Sequence, residues 1–165
     1  MNKITNDNMK INKKSLMTAM VFLMALIVAA CSGGGAVKVN PAEAYADISG
    51  SVAMPEMMEI PSSIVLDYYG IRSEDYTDAV FYMSADSLLA DEVVIVNAVN
   101  AEAAKRVKDK LDVRLNQKLM SAQDYSPEQY EIIRKCKVRS DGLTVAMLVS
   151  PDVQGMTDAY EKHLK

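Results

Sequence analysis

The pattern of apolar residues predicts an α+β fold: a mainly antiparallel sheet of about four strands, arranged as two hairpins and covered by helices. Three observations carry this. Two β-rich runs, 79–83 and 92–99, follow one another across a short loop. Two more, 137–140 and 143–149, flank Asp141-Gly142, a dipeptide suited to a tight hairpin because it tolerates positive φ. Helical patterns stand before, between and after these pairs, rather than alternating with single strands as a parallel sheet requires.

Each element has a local reason. Asn40-Pro41 reads as a helix cap and first turn, with the helix running to about Ser49 and ending at Gly50. Pro55 and Pro61 bracket a linker, and a short helix over 62–69 ends at Gly70. The run 79–83 is the first strand. The run 92–99 is continuously apolar and β-branched at its centre, which marks a strand buried on both faces. Asn100 caps the longest helix, about 101–120, whose Ala104, Val107, Leu111, Leu115 and Leu119 form one apolar face. Ser126-Pro127-Glu128-Gln129 predicts a capping box, with Tyr125 and Tyr130 placed as a hydrophobic staple and the helix reaching about Lys135. Ser150-Pro151-Asp152 opens a last helix with Val153, Met156, Tyr160 and Leu164 on one side.

The N-terminus has a separate organisation. Lys3, Lys10, Lys13 and Lys14 precede an apolar run over 16–28, then Ala29 and Ala30, then Cys31. This is the anatomy of a signal peptide, and the run is shorter than the roughly 20 residues of a comfortable bilayer span. Val28-Ala29-Ala30-Cys31 resembles the lipobox of bacterial lipoproteins, with Val where Leu is commoner. The resemblance implies a thioether-linked diacylglycerol on Cys31 and cleavage before it. Two acyl chains suffice for stable anchoring where one is marginal. The expected organisation is a signal peptide over 1–30, a lipidated flexible tether over 31–40 containing Gly33-Gly34-Gly35, and a single α+β domain over 41–165. The expected location is the extracytoplasmic face of the cell membrane.

Removal of 1–30 leaves 135 residues, enough for one core without staples. Residues 1–30 carry four Lys and one Asp, so the chain's net charge of −4 becomes about −7. An acidic domain of this kind argues against nucleic acid as the main partner. Cys136 is the one cysteine left beside Cys31, so no disulfide framework is possible. Its neighbours Lys135 and Lys137 favour a thiolate, while a half-buried small residue at a helix end is the plainer reading.

Chemistry-bearing residues are sparse. Arg106, Lys110, Arg114 and Lys118 recur every four residues and form a basic ridge, either a contact for anionic headgroups or wall polymers or a solvated face. Asp91 and Glu92 open a strand, where adjacent side chains point to opposite faces, so a solvated strand entry is expected. Asp75 and Asp78 lie near a turn without the spacing of a calcium loop. Tyr68, Tyr69, Tyr125 and Tyr130 are candidates for a pocket or for packing. His163 is the sole histidine and cannot build a two-histidine metal site. No phosphate-binding glycine loop, nucleophile elbow or zinc spacing occurs, and no cofactor is expected.

From Leu66 onward, Tyr68-Tyr69-Gly70-Ile71, Asp91-Glu92-Val93, the Ala- and Lys-rich helix to Arg114, Tyr125-Ser126-Pro127-Glu128-Gln129-Tyr130 and the strand closing before Ser150 resemble a domain family of unknown function. That family occurs in lipoproteins of Clostridia and related Gram-positive bacteria. The resemblance covers roughly 47–165, and it lies in order and spacing. It implies a Gram-positive source and attachment to the outer leaflet of the cytoplasmic membrane. It implies no activity. The expected function is a non-enzymatic binding module at the envelope with an unidentified protein or ligand partner. A small solute-binding lipoprotein or a wall-acting enzyme is the alternative.

Overall fold

The structure is a computed structural model that describes residues 38–164. Cys31, the signal peptide and most of the tether lie outside the described residues. The described residues form an α+β domain around a five-stranded antiparallel sheet. In chain order the elements are α1 (Pro41–Ser51), β1 (Met57–Glu59), α2 (Val65–Tyr69), β2 (Tyr76–Ser84), β3 (Glu92–Ala98), α3 (Ala101–Tyr125), α4 (Pro127–Ile133), β4 (Val138–Asp141), β5 (Thr144–Val149) and α5 (Val153–Glu161). Single 3-10 turns occupy Ser62–Ile64 and Ser73–Asp75. No helix among the described residues is long and apolar enough to cross a membrane.

The sheet order is β1-β2-β3-β5-β4. Both expected hairpins form, and β3 pairs with β5 to join them, Glu92 facing Val149 and Asn97 facing Thr144. The fifth strand is a departure from the four expected. Met57-Met58-Glu59 was expected within a proline-bracketed linker, but it lies antiparallel along β2, Met58 against Met83. Three residues show no alternation by themselves; the free edge of β2 supplies the hydrogen bonds that make them a strand. Pro55 and Pro61 then limit its length.

The central strands are buried on both faces, as their composition requires: every residue of β3 and β5 is buried. Alternation sends Val94 and Val96 of β3, with Val145 and Met147 of β5, toward α2, α3 and α4. Val93 and Ile95, with Ala146 and Leu148, face α1 and α5. Two cores therefore sit on opposite sides of one sheet. In the second, Ile48 of α1 and Met156, Ala159 and Tyr160 of α5 close over the strands.

The helix starts follow the sequence. Asn40 accepts from the backbone N–H of Ala42 and Glu43, Asn100 from Ala103, and Asp152 from Gly155. Gly70 ends α2 in the left-handed conformation, with φ +65°. Gly50 does not end α1, which continues through it to Ser51. The longest helix runs five residues past its expected end, because Ala122 is buried and keeps the last turn on the core. Val39, expected in the tether, is buried; Asn97 Nδ2 donates to its carbonyl at 2.7 Å, which ties the start of the domain to the sheet.

The β4–β5 turn is shifted by one residue. Asp141 pairs with Thr144, so Gly142 and Leu143 form the loop, with positive φ at Gly142 alone. This is the pattern of a II′ turn, which needs Gly at its first central position. The shift leaves Asp141 inside the strand, where it receives Arg139 Nε at 2.8 Å and the Tyr160 hydroxyl at 3.1 Å.

Candidate functional site

The apolar face of α3 changes character along its length. Val107 and Leu111 are buried against the sheet, while one heptad further on the same face presents Arg114 and Lys118. Opposite them stands Glu92, the first residue of β3, whose side chain is 0% exposed. Arg114 grips it with both arms of its fork, Nε to Oε1 and Nη2 to Oε2, each at 3.2 Å. Lys118 Nζ reaches Oε2 at 2.6 Å. A buried carboxylate needs such partners, because burial without them costs several kcal/mol by order of magnitude.

The solvated strand entry expected at Asp91 and Glu92 is therefore overturned: both residues are buried. Glu92 follows the strand alternation and faces α3. Asp91 precedes the strand proper, so alternation does not govern it. Its Oδ1 is buried without a hydrogen-bond partner among the described residues. Burial pushes its pKa up, against the pull of its own backbone, Ser150 and Lys118. The Tyr69 hydroxyl is also buried, beside the Glu92 carboxylate. Burial, followed by the Glu92 charge, pushes its pKa far upward. The Tyr69 ring packs on Phe81 and carries the Arg114 guanidinium 5.4 Å from its centroid.

The ridge of four cations divides. Arg114 and Lys118 belong to Glu92. Arg106 binds buried Asp75 through Nη2 and through Nε at 3.0 Å, tying α3 to the turn before β2. Lys110 has no ion pair among the described residues, and its stem lies over Gly70. Asp78 is exposed on β2, so it does not join Asp75 in a ligand set. The described residues contain no group of three or more His, Cys, Asp or Glu that could hold a metal ion.

Above the Glu92 pair a cleft of about 330 Å³ opens between the β2–β3 connection and the end of α3 with α4. Its floor includes Arg114 and Lys118, with Ala122 and Ile133 between the helices. Leu88, Leu89 and Tyr125 form the apolar rim, and Gln117, Ser121 and Ser126 contribute polar atoms. No carboxylate lines it. Tyr125 is 89% exposed and Leu88 78%, and both border the same cleft.

The rim is held by local chemistry. The Ser84 hydroxyl accepts from Asp86 N–H, and Asp86 Oδ1 accepts from Leu88 N–H at 2.9 Å. Gln129 is the main anchor: its Oε1 accepts from Ala90 N–H at 2.8 Å. The expected capping box is thus not formed. Ser126 occupies the cap position without a side-chain bond, and Gln129 turns inward to an orphan loop N–H. The staple fails with it, since Tyr125 projects into solvent while Tyr130 packs on the core. Of the other tyrosines, Tyr68 is exposed and Tyr69 buried.

Cys136 is buried, and its thiol donates to the Ile132 carbonyl at 3.4 Å. Burial pushes its pKa up despite Lys118 and Lys135, so the thiolate suggested by flanking lysines is disfavoured. His163 Nε2 lies 2.7 Å from Asp47 Oδ2 and fastens the C-terminal turn to α1. A second hollow, about 480 Å³, lies beside Gly70; apart from Lys110 its charges are matched locally: Arg106 with Asp75, Arg72 with Glu74, Asp109 with Lys105.

Four features escaped the sequence reading: the burial of Glu92, the inward Gln129, the Leu88–Leu89 rim, and the Tyr45–Tyr82 stack with centroids 3.7 Å apart. Only Glu92 left a trace, as an acid opening an otherwise apolar run opposite a cationic helix face. Comparison with curated proteins finds no match, and comparison with solved structures finds none. Residues 50–150, which include every residue lining the cleft, match the family described as "Domain of unknown function (DUF4358)", and the chain belongs to that family.

Proposed function

We propose that this protein is a lipid-anchored, extracytoplasmic binding module, held to the cell membrane by diacylglyceryl on Cys31, whose domain recognises its partner in the cleft above Glu92. The observation that carries the binding reading is the combination of exposed Leu88 and Tyr125 on the rim with Arg114 and Lys118 on the floor. Ligand sites are mostly apolar concavities with a few convergent polar groups, of roughly 300–1,000 Å³. A cleft of about 330 Å³ suits a small molecule or the terminal group of a larger one. The anchor reading is supported by Val28-Ala29-Ala30-Cys31 and the glycine-rich stretch that follows.

Two measurements on the full chain in cells test this. Cys31→Ala abolishes metabolic labelling by an alkyne fatty acid and leaves the precursor unprocessed; continued processing and labelling would remove the anchor. A photoreactive amino acid at Ser121, on the cleft, gives a discrete crosslinked product, while the same group at Gln154 on α5 does not. Equal capture at both positions would refute the cleft as the binding site.

A further inference from the structure

The two cations of the cleft carry more hydrogen-bond donors than Glu92 uses. Glu92 is a single carboxylate facing two cations, and it is sealed from solvent, whereas the side chains of Arg114 and Lys118 keep 20% and 15% of their exposure. Glu92 uses Nε and Nη2 of Arg114. Nη1 makes no hydrogen bond among the described residues, and Lys118 spends one of its three donors. Asp91 lies near Lys118 but accepts from neither cation and does not line the cleft, so it leaves these donors spare. Arg114 and Lys118, which carry these donors, line a cleft with no carboxylate in its lining, beneath an apolar rim of Leu88, Leu89 and Tyr125.

We infer that the cleft binds a single-chain amphiphile with an anionic head, carboxylate or phosphate. The head sits on Arg114 and Lys118, and the apolar chain leaves along Leu88, Leu89 and Tyr125. The reasons are charge and order. A neutral amphiphile would leave the spare N–H donors buried beneath it without acceptors, a cost that an anionic oxygen removes. A small hydrophilic anion would leave the rim uncovered, and exposed Leu88 and Tyr125 gain only from an apolar cover. Glu92 holds both cations in position before the ligand arrives, so little ordering is spent on binding. This assignment rests on the cleft being the binding site and adds the class of its ligand.

The full-length protein in phosphatidylcholine vesicles tests the assignment. Three diazirine probes with the same twelve-carbon chain are compared, bearing a carboxylate, a hydroxyl or a trimethylammonium head, and adducts are mapped by peptide mass spectrometry. The carboxylate probe is expected to label the segments around Leu88 and Tyr125, with the other two labelling them roughly tenfold less, the ratio one charge-assisted hydrogen bond supplies. Dodecanoate or dodecyl phosphate should displace it, the stronger naming the head, while acetate and inorganic phosphate should not. Gln117→Glu and Ser121→Glu place a negative charge on exposed positions of the cleft without touching the Glu92 pair, and each should cut labelling by roughly tenfold while thermal unfolding stays unchanged. Equal labelling by the hydroxyl or ammonium probe would overturn the anionic head and leave the cleft standing as a site. Competition by inorganic phosphate as strong as by dodecyl phosphate would overturn the amphiphile. Labelling that avoids the cleft, or ignores both glutamates, would overturn the site itself.

Discussion

The two faces of the sheet are built on different terms. The face under α1 and α5 is closed by Ile48, Met156, Ala159 and Tyr160, all essentially without exposure. Its polar groups are matched: Asn97 with the Val39 carbonyl and Thr144, Arg139 with Asp141 and Glu161, Tyr160 with Asp141. The face under α3 and α4 buries Glu92 against two cations, leaves Asp91 Oδ1 without a hydrogen-bond partner among the described residues, and opens into the cleft. The family match covers the second face, while α5 and all but the end of α1 lie outside it. Proteins keep unmatched polar groups where recognition needs them and offset their cost elsewhere. The closed face stabilises; the open face carries the spare chemistry.

The largest effect comes from breaking the open face at its centre. Arg114→Met leaves Glu92 sealed with Lys118 alone and is expected to lower stability by about 3–5 kcal/mol, the range for removing one partner of a buried pair. Urea unfolding with unchanged slope measures it. A loss under about 1 kcal/mol, the value of an exposed ion pair, would mean water reaches Glu92 and the contrast between the faces is false.

The closed face supplies the control. Ile48→Ala removes a fully buried side chain between α1 and the sheet, and a loss of about 3 kcal/mol is expected from transfer and cavity terms together. Labelling of the cleft by the anionic probe should be unchanged in this variant at temperatures where it remains folded. Loss of labelling would show that the two faces are coupled through β3 and β5, and that stability and recognition cannot be assigned to separate sides.

A smaller and more local change is expected at Gln129. Gln129→Ala leaves Ala90 N–H without its acceptor, at a cost of about 1–2 kcal/mol. Because Gln129 joins α4 to the cleft rim, the change should appear as faster amide exchange at Leu88, Leu89 and Ala90, with β3 and β5 protected as before. Uniform exchange across the domain would instead make Gln129 a core residue with no special hold on the rim.

The closed face was the more legible of the two in sequence. Asn40 and Asp152 act within three residues of themselves, so the caps of α1 and α5 can be read locally. The apolar centre of β3 dictates burial whichever partner it finds. The open face depends on pairs distant along the chain. Glu92 meets Arg114 across 22 residues and Lys118 across 26, and Ala90 meets Gln129 across 39. Gln129 had two uses for one oxygen, and the sequence displays only the nearby one, the capping box. The buried N–H of Ala90 had no other acceptor, so the distant bond prevailed. The short strand β1 was hidden for a related reason, since its pairing belongs to the edge of β2.

The finest test of the contrast is the pH dependence of Asp91. Its pKa in the folded state is raised above the ordinary 3.8, chiefly by burial. A carboxyl of this kind favours the folded state most when protonated, so its contribution is fully present below the unfolded value. It is lost as pH rises through the raised folded value. Wild type should therefore lose stability relative to Asp91→Asn as pH rises from 3.8 through that interval, and the difference should be level above it. Taking the difference between the two proteins at each pH cancels the titration of the remaining carboxylates, provided they lie too far away to couple. The asparagine retains a polar atom at the Oδ1 position, so what the comparison isolates is the charge. A difference constant from pH 4 to pH 8 would mean that Asp91 ionises as an ordinary surface acid, and that, among the described residues, the only acids sealed on the open face are the cation-bound Asp75 and Glu92.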